Sequence, residues 1–302
     1  MKLFKYLNPA RISDVLEKRM LRFTPPAHLN DPFEALPIIS GLAPDRPTLI
    51  QVVARMIAAL ERDQPLSNLV PHHIRTGSEA TIASWLTDHP AAFEGLMAEW
   101  NPGGALKEAL IRESYAASNR IGILSLSAAP NNMLMWSHYA SEHRGFVVEF
   151  DSEDAFFQKY SSRSDMLDIC REPQAMRYVT TRPTVDLESM TEIDVFLTKV
   201  RDWAYEEEWR FGRGLADADA VTGEVHLFQF PPSCLSSVIL GCNMSTEASR
   251  EAIKLVKANH DYRHVLVRKA LTSSTGYGLF IVDLLFDAGD VDNVDLRSAD
   301  KR

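Results

Sequence analysis

Apolar and polar residues follow three different rhythms along this chain. Residues 3–7 (Leu-Phe-Lys-Tyr-Leu) alternate with a period of two, which predicts a short strand. Asn8-Pro9 then opens a helical run carrying Ile12, Val15, Leu16 and Arg19, and Met20–Thr24 reads as a second strand stopped by Pro25-Pro26. The stretch Leu29-Asn30-Asp31-Pro32-Phe33-Glu34 is a turn, with Asp31 pushed to an extended shape by the proline after it. Residues 35–117 change to helical spacing punctuated by prolines, with Ile50, Val53, Ala54 and Ile57 at i, i+3, i+4 and i+7. They read as a helical insertion or lid.

Strands dominate again from residue 121. Ile121–Ser127 alternates, Asn131–Ala140 reads as a short helix, Gly145–Asp151 is a strong strand and Met176–Thr180 a weaker one. Ile193, Phe196, Leu197 and Val200 make a helical stripe running into Trp203. Strands are predicted at 206–212, 225–230, 236–240, 264–270 and 278–285, with a helix at 246–259 and a polar tail over 288–302. Short strands in succession predict mainly antiparallel pairing rather than regular βαβ alternation. The expected fold is α+β: one domain of 302 residues, its mainly antiparallel mixed sheet drawn from residues 1–34 and 118–287, with the helical insertion between.

Composition narrows the classes. Hydrophobic residues at 45% and charged residues at 24% describe a chain able to bury a core. The net charge is −9 and no Lys/Arg run exceeds two residues, which disfavours general duplex DNA binding. Cys170, Cys234 and Cys242 are few, odd in number and lack CxxC spacing, so reduced thiols are expected rather than a disulfide framework or a zinc site. No stretch of 18 apolar residues occurs and the N-terminus lacks a signal-peptide pattern; a cytoplasmic protein without a membrane partner is expected. Neither a GxGxxG nor a Walker A sequence is present.

Three motifs carry candidate chemistry. In Trp203-Ala204-Tyr205-Glu206-Glu207-Glu208-Trp209-Arg210-Phe211, strand alternation puts Glu206, Glu208 and Arg210 on one face. Two carboxylates roughly 7 Å apart can then act on one ligand; alternatively the face is solvated and Arg210 pairs locally. In the second motif, Leu124-Ser125-Leu126-Ser127 precedes Asn131-Asn132-Met133-Leu134-Met135-Trp136-Ser137-His138-Tyr139-Ala140, where Met135, His138 and Tyr139 share one helical side. A packed aromatic helix explains this equally well. His138 and His143 are five apart, a poor metal pair, and no metal site is expected. The third motif joins Lys5 and Tyr6 to Asn30-Asp31-Pro32-Phe33-Glu34, whose Asn and Asp could serve the turn alone.

Together these motifs resemble the bacterial domain-of-unknown-function family 2971, through Phe4-Lys5-Tyr6, Asn30–Glu34, Met135–Ala140 with His143 and Gly145, Tyr178, Lys199 with Trp203–Arg210, and Val238–Gly241. The resemblance runs over roughly residues 1–34 and 121–243 and implies no activity. A second resemblance, at the level of layout, is to ADP-ribosyltransferases, which carry a polar residue on a first strand, a Ser-x-Ser strand followed by a helix, and a catalytic Glu-x-Glu or lone Glu on a later strand. Lys5 or Tyr6, Ser125 with Ser127, and Glu206 with Glu208 are the matching positions, although the first strand has no Arg or His and the triplet is Ser-Leu-Ser. That resemblance implies NAD as substrate, Glu208 as the key carboxylate, and a small nucleotide ligand held by Lys5, Tyr6, Asn30, Ser125, Ser127, Trp136, Tyr139 and Arg210. His138 would be a general acid/base, since its ordinary pKa lies near neutrality. It also implies a toxin or phage-defence effector with a protein or RNA target. Two alternatives stand beside it: a metal-dependent nucleic-acid hydrolase, with Mg²⁺ on Asp31, Glu34, Glu206 and Glu208, and a non-catalytic nucleotide-binding or sensor module.

Overall fold

A computed structural model describes residues 1–35, 37–41, 43, 45–59, 70–99, 120–159, 167–186 and 192–285. The predicted tail at 288–302 lies outside the described residues, as do residues 60–69 and 100–117 of the predicted insertion. The chain divides into two units: Met1–Glu34 with Arg120–Thr180 and Phe196–Arg302, and Ala35–Asn119 with Thr181–Val195. Residues 181–195, read in sequence as part of the core, fall in the second unit.

The first unit is built on an eight-stranded sheet. Its strands in chain order are β1 (Lys2–Leu7), β2 (Ile121–Ser127), β3 (Phe146–Asp151), β4 (Gln174–Ala175), β5 (Glu208–Gly214), β6 (Leu235–Leu240), β7 (Leu266–Thr272) and β8 (Leu279–Asp283). Across the sheet the order is β8-β7-β6-β3-β1-β2-β5-β4. Every neighbouring pair is antiparallel except β6 and β7. Those two are parallel because a helix, α2 (Thr246–Ala258), carries the chain back between them. The unit is therefore a mixed, mainly antiparallel α+β fold.

Alternation along each strand feeds two apolar layers. One holds Leu3, Leu124, Leu126, Val148, Phe150, Phe211, Val238 and Val267 with Ala252, Ile253 and Val256 of α2. The other holds Phe4, Tyr6, Val147, Ile239 and Ala270 with Met135, Trp136 and Ala140, contributed by or adjoining helix α1 (Met133–Tyr139). β3 is buried on both faces, so its sequence Phe-Val-Val-Glu-Phe is nearly continuous in apolar character. A three-stranded sheet of Met20–Phe23, Val225–Gln229 and Ala220–Thr222 adds to this unit, and Thr24 bridges to Ile123 of β2.

The second unit packs helices Arg46–Ala59, Glu79–Asp88 and Pro90–Glu99 around Ile50, Val53, Ala54, Ile57, Ile82, Leu86, Phe93 and Leu96. It also pairs Ile38–Gly41 in parallel with Thr184–Asp186.

Several local expectations are corrected. The run after Asn8-Pro9 is a 3₁₀ turn, Pro9–Arg11, followed by a π turn, Ser13–Glu17, rather than one regular helix. The apolar stripe from Ile193 to Trp203 is not one helix: Glu192–Val195 is a single turn, Thr198–Val200 is a strand parallel to Arg177–Val179, and Arg201–Glu206 is a 3₁₀ helix. The strand predicted from residue 206 begins at Glu208. Tertiary pairing overrides a periodicity read over so few residues. Among the described residues Cys170, Cys234 and Cys242 form no disulfide. Among the described residues no helix is long and apolar enough to cross a membrane.

Two glycines set how closely this unit can pack. After α1 the chain passes through three consecutive left-handed residues, Ser141, Glu142 and His143. Gly145 then donates to the Ala140 carbonyl at 2.7 Å, and Gly241 donates to the Gly145 carbonyl at 2.9 Å. A Cβ at Gly145 would meet the Leu7 carbonyl oxygen at 2.1 Å, and one at Gly241 the His143 carbonyl oxygen at 2.2 Å. Both obstacles are backbone, which cannot rotate away. Gly145→Ala and Gly241→Ala should each lower stability by about 3 kcal/mol in chemical denaturation. Gly276→Ala, with open space around the new methyl, should stay within about 0.5 kcal/mol of the parent.

Candidate functional site

The site begins with the neighbours β1, β2 and β5. Ser125 and Ser127 alternate with the buried Leu124 and Leu126, and Glu208 and Arg210 alternate with Trp209 and Phe211. Glu208 lies opposite Ser127 and Arg210 opposite Ser125, while Phe4 of β1 lies opposite Ser127 from the other side. Glu206 reaches this face by another route. It ends the 3₁₀ helix Arg201–Glu206, and Glu207 follows in the left-handed conformation at φ 44°. The Ser127 hydroxyl donates to the Glu206 carbonyl at 2.7 Å, and the Ala128 amide donates to the Glu207 carbonyl at 2.9 Å. This anchored turn folds the Glu206 carboxylate back beside Glu208.

Two cations hold the carboxylates. Lys199 Nζ donates to Glu206 Oε2 at 2.6 Å and to Glu208 Oε2 at 3.1 Å, with Glu34 Oε1 at 3.7 Å. It also lies 4.9 Å from the centre of the Trp203 ring. Arg210 donates through Nε to Glu208 Oε1 at 2.9 Å and through Nη1 to the Phe196 carbonyl at 2.6 Å, and it pairs with Glu34. Glu34 is delivered by the Asn30–Glu34 turn, in which Asp31 accepts from the Phe33 amide and its carbonyl accepts from the Glu34 amide. All five charged side chains are buried, so three carboxylates face two cations away from water.

Protonation follows from that arrangement. Burial pushes the Glu208 carboxyl up; Lys199 and a Ser125 hydrogen bond pull against it, and Glu206 adds to the rise. Burial alone would lower Lys199, but Glu208, Glu206 and the hydrogen bond to Glu206 outweigh it, leaving the ammonium above its ordinary range. Burial lowers the Arg210 guanidinium to about 9, with Asp31 opposing, so it stays cationic at neutrality. The Tyr139 hydroxyl donates to Glu206 Oε1 at 2.5 Å and accepts from Asn30 Nδ2 at 2.9 Å. Burial, then the Glu206 contact, keeps this phenol protonated well above its ordinary range. Tyr178 accepts the Glu208 amide at 2.8 Å and its phenol is raised to about 12, first by burial.

A pocket of about 370 Å³ opens on this network. Lys5, Tyr6, Asn30, Ser125, Ser127, Tyr139, Glu206, Glu208 and Arg210 all line it. Lys199, Arg22, Thr24 and His28 line it as well and were not among the sequence candidates. For Lys199 the sequence cue was indirect: acids at 206 and 208, once buried, require cations, and Lys199 lies in the stretch that carries the family resemblance; Arg22, Thr24 and His28 had none. Two candidates are not among the lining residues. Trp136 is fully buried in the apolar layer, its indole N–H donating to the Pro130 carbonyl at 2.8 Å, so it packs the sheet rather than facing a ligand. His138 is exposed and borders the Tyr139 and Tyr205 rings. Among the described residues no group of three or more His, Cys, Asp or Glu side chains is arranged to hold a metal ion. Of the acids proposed for Mg²⁺, Glu34, Glu206 and Glu208 are engaged by Lys199 or Arg210, and Asp31 accepts from the Phe33 amide.

The family model described as "Protein of unknown function (DUF2971)" matches residues 135–211. The matched segment carries Tyr139, Lys199, Glu206, Glu208 and Arg210, and supports the resemblance drawn from the motifs over a shorter stretch than they span. No curated protein and no solved structure matches the chain, and nothing in these comparisons points to an ADP-ribosyltransferase.

Removing Lys199 leaves Glu206 and Glu208 with less compensation in a dry site. Lys199→Met should lower stability by about 3–5 kcal/mol in urea denaturation at pH 7.5. Without the ammonium that opposes burial, the Glu208 carboxyl binds its proton still more tightly when folded than when unfolded, so the variant's stability falls as pH rises. Its deficit against the parent should therefore be smaller at pH 5.5 than at pH 7.5.

Proposed function

We propose that this pocket is the active site of an NAD-cleaving enzyme of the ADP-ribosyltransferase or NAD-glycohydrolase type. The observation that supports this reading is the meeting of Lys5, Ser125, Ser127, Glu206 and Glu208, from neighbouring strands and the turn before β5, in one cavity. As the bond between ribose and nicotinamide lengthens, positive charge develops on the ribose ring. A carboxylate already oriented in a desolvated site stabilises that charge without reorganising. Nicotinamide leaves as a neutral base, and water or an acceptor group adds to the ribose carbon, its proton passing to a carboxylate. Tyr139 offers a half-buried ring surface for a flat base. Lys5, Arg22 and His28 offer positive or donor groups for phosphate oxygens. At about 370 Å³ the cavity is near the lower end of the roughly 300–1,000 Å³ range of small-molecule sites. It suits the reacting nicotinamide-ribose end, with the rest of the dinucleotide extending outward. A toxin or phage-defence effector acting on a protein or RNA acceptor is the setting this activity fits.

One observation favours a non-catalytic nucleotide-binding module instead. Both Glu208 oxygens are already engaged, Oε1 by Arg210 and Oε2 by Lys199 and Arg210. Incubation with NAD and chromatography of released nicotinamide separates the two. Release by the parent, reduced at least about a hundredfold in Glu208→Gln with the fold intact, supports the enzyme. Unchanged release in that variant removes the role given to Glu208. A thermal shift with NAD but no nicotinamide favours the binding module, and neither response overturns both.

A further inference from the structure

Lys5 is a pocket cation that the carboxylate network leaves aside. By strand alternation it lies on the opposite side of β1 from Phe4 and Tyr6, which join the α1 layer. Its amine donates to the Ser125 carbonyl at 2.8 Å, and among the described residues no carboxylate lies within ion-pair distance of it. Glu206, Glu208, Lys199, Arg210, Arg22 and His28 share the cavity with it. The two glutamates favour its charged form and Arg22 disfavours it, but burial outweighs all three and brings the amine down to about 8. At pH 7.5 roughly a quarter of such an amine is unprotonated, against about one part in a thousand for an ordinary lysine. A lysine with a free lone pair at neutrality, in a cavity, next to proton donors, is the arrangement that attacks carbonyl carbon.

We propose that Lys5 is a nucleophilic amine that condenses with small phosphorylated aldehydes to form an imine. The Nζ lone pair forms the N–C bond while the carbonyl π pair moves to oxygen; that oxygen takes up a proton and the nitrogen, now positively charged, loses one, giving a neutral carbinolamine. The hydroxyl leaves as water after a second protonation, and loss of the remaining N–H proton yields the neutral imine, with one water released per aldehyde. The two protons taken up come from water, and the two lost from nitrogen return to it. Arg22, exposed on the pocket lining, and His28, which lines the same pocket with Glu224 Oε2 at 3.8 Å, provide the phosphate end. The proposal uses the cavity of the proposed function but none of its NAD chemistry.

Trapping tests it. The full chain is incubated with ribose 5-phosphate and cyanoborohydride, which reduces the imine to a stable secondary amine, and modified lysines are mapped by mass spectrometry. Lys5 should be labelled at least about tenfold faster than the exposed Lys254, with its rate rising through pH 8. Unphosphorylated ribose should label it several-fold more slowly. Labelling of Lys5 no faster than Lys254, or with no rise around pH 8, overturns the nucleophile. Equal labelling by the two sugars overturns the phosphate preference. Because no NAD is present, nicotinamide release and imine trapping succeed or fail independently.

Discussion

A buried set of three carboxylates and two cations is the constraint on which the rest of the first unit turns. Taking five charges out of water is costly, and the attraction between them offsets that cost only if every partner is held in place. The fold supplies those placements from four separate stretches. Glu34 comes from a proline-containing turn, Lys199 from a three-residue strand, Glu206 from the end of a 3₁₀ helix, and Glu208 with Arg210 from β5. Each stretch is short and could take other shapes alone. The ion pairs select one of them, while the apolar layers on both sides of the sheet supply the driving force.

The same economy shows in the backbone. Ser127 serves as a strand residue and as the donor that pins the Glu206 carbonyl. Asn132 caps α1 through the Leu134 and Met135 amides and reaches the Tyr205 carbonyl at 2.9 Å, tying the helix that carries Tyr139 to the turn that carries Glu206. Gly145 and Gly241 let the start of β3 and the end of β6 lie in contact with the exit of α1. Displacing α1 would therefore move Tyr139 and Glu206 together, because side chain, cap and turn form one connected set of hydrogen bonds.

The sheet was largely legible in the sequence because period-two alternation over five or more residues leaves few other solutions. Ile121–Ser127, the strand ending at Asp151 and the helix near 246–259 read directly. The stretch 193–206 did not, because its elements are three to six residues long and depend on partners far away: Thr198–Val200 exists only by pairing with Arg177–Val179. At the site, alternation brought Glu206 and Glu208 together for a reason that does not apply, since a left-handed Glu207 separates them. Trp136 and His138 could not be told apart by helical spacing alone: adjacent residues on a short helix point some 100° apart, and only the position of the sheet decides that Trp136 is covered and His138 is not. The pairing of Glu34 with Arg210 spans most of the first unit's sequence and leaves no local trace.

Lys5 and Lys199 show most directly how position rather than residue type sets the chemistry. Both are lysines on strands and both line one pocket. Burial acts on both in the same direction, against the charged form. At Lys199 two carboxylates at hydrogen-bonding distance reverse that pressure and fix the ammonium as a structural charge. At Lys5 the same carboxylates act from farther away, the nearest acceptor is the neutral Ser125 carbonyl, and burial prevails. One cavity thus holds a permanent cation that orients carboxylates and, beside it, an amine able to give up its proton near neutrality. Pairs of like groups driven apart in this way are how a single site acquires both a fixed charge and a reactive one.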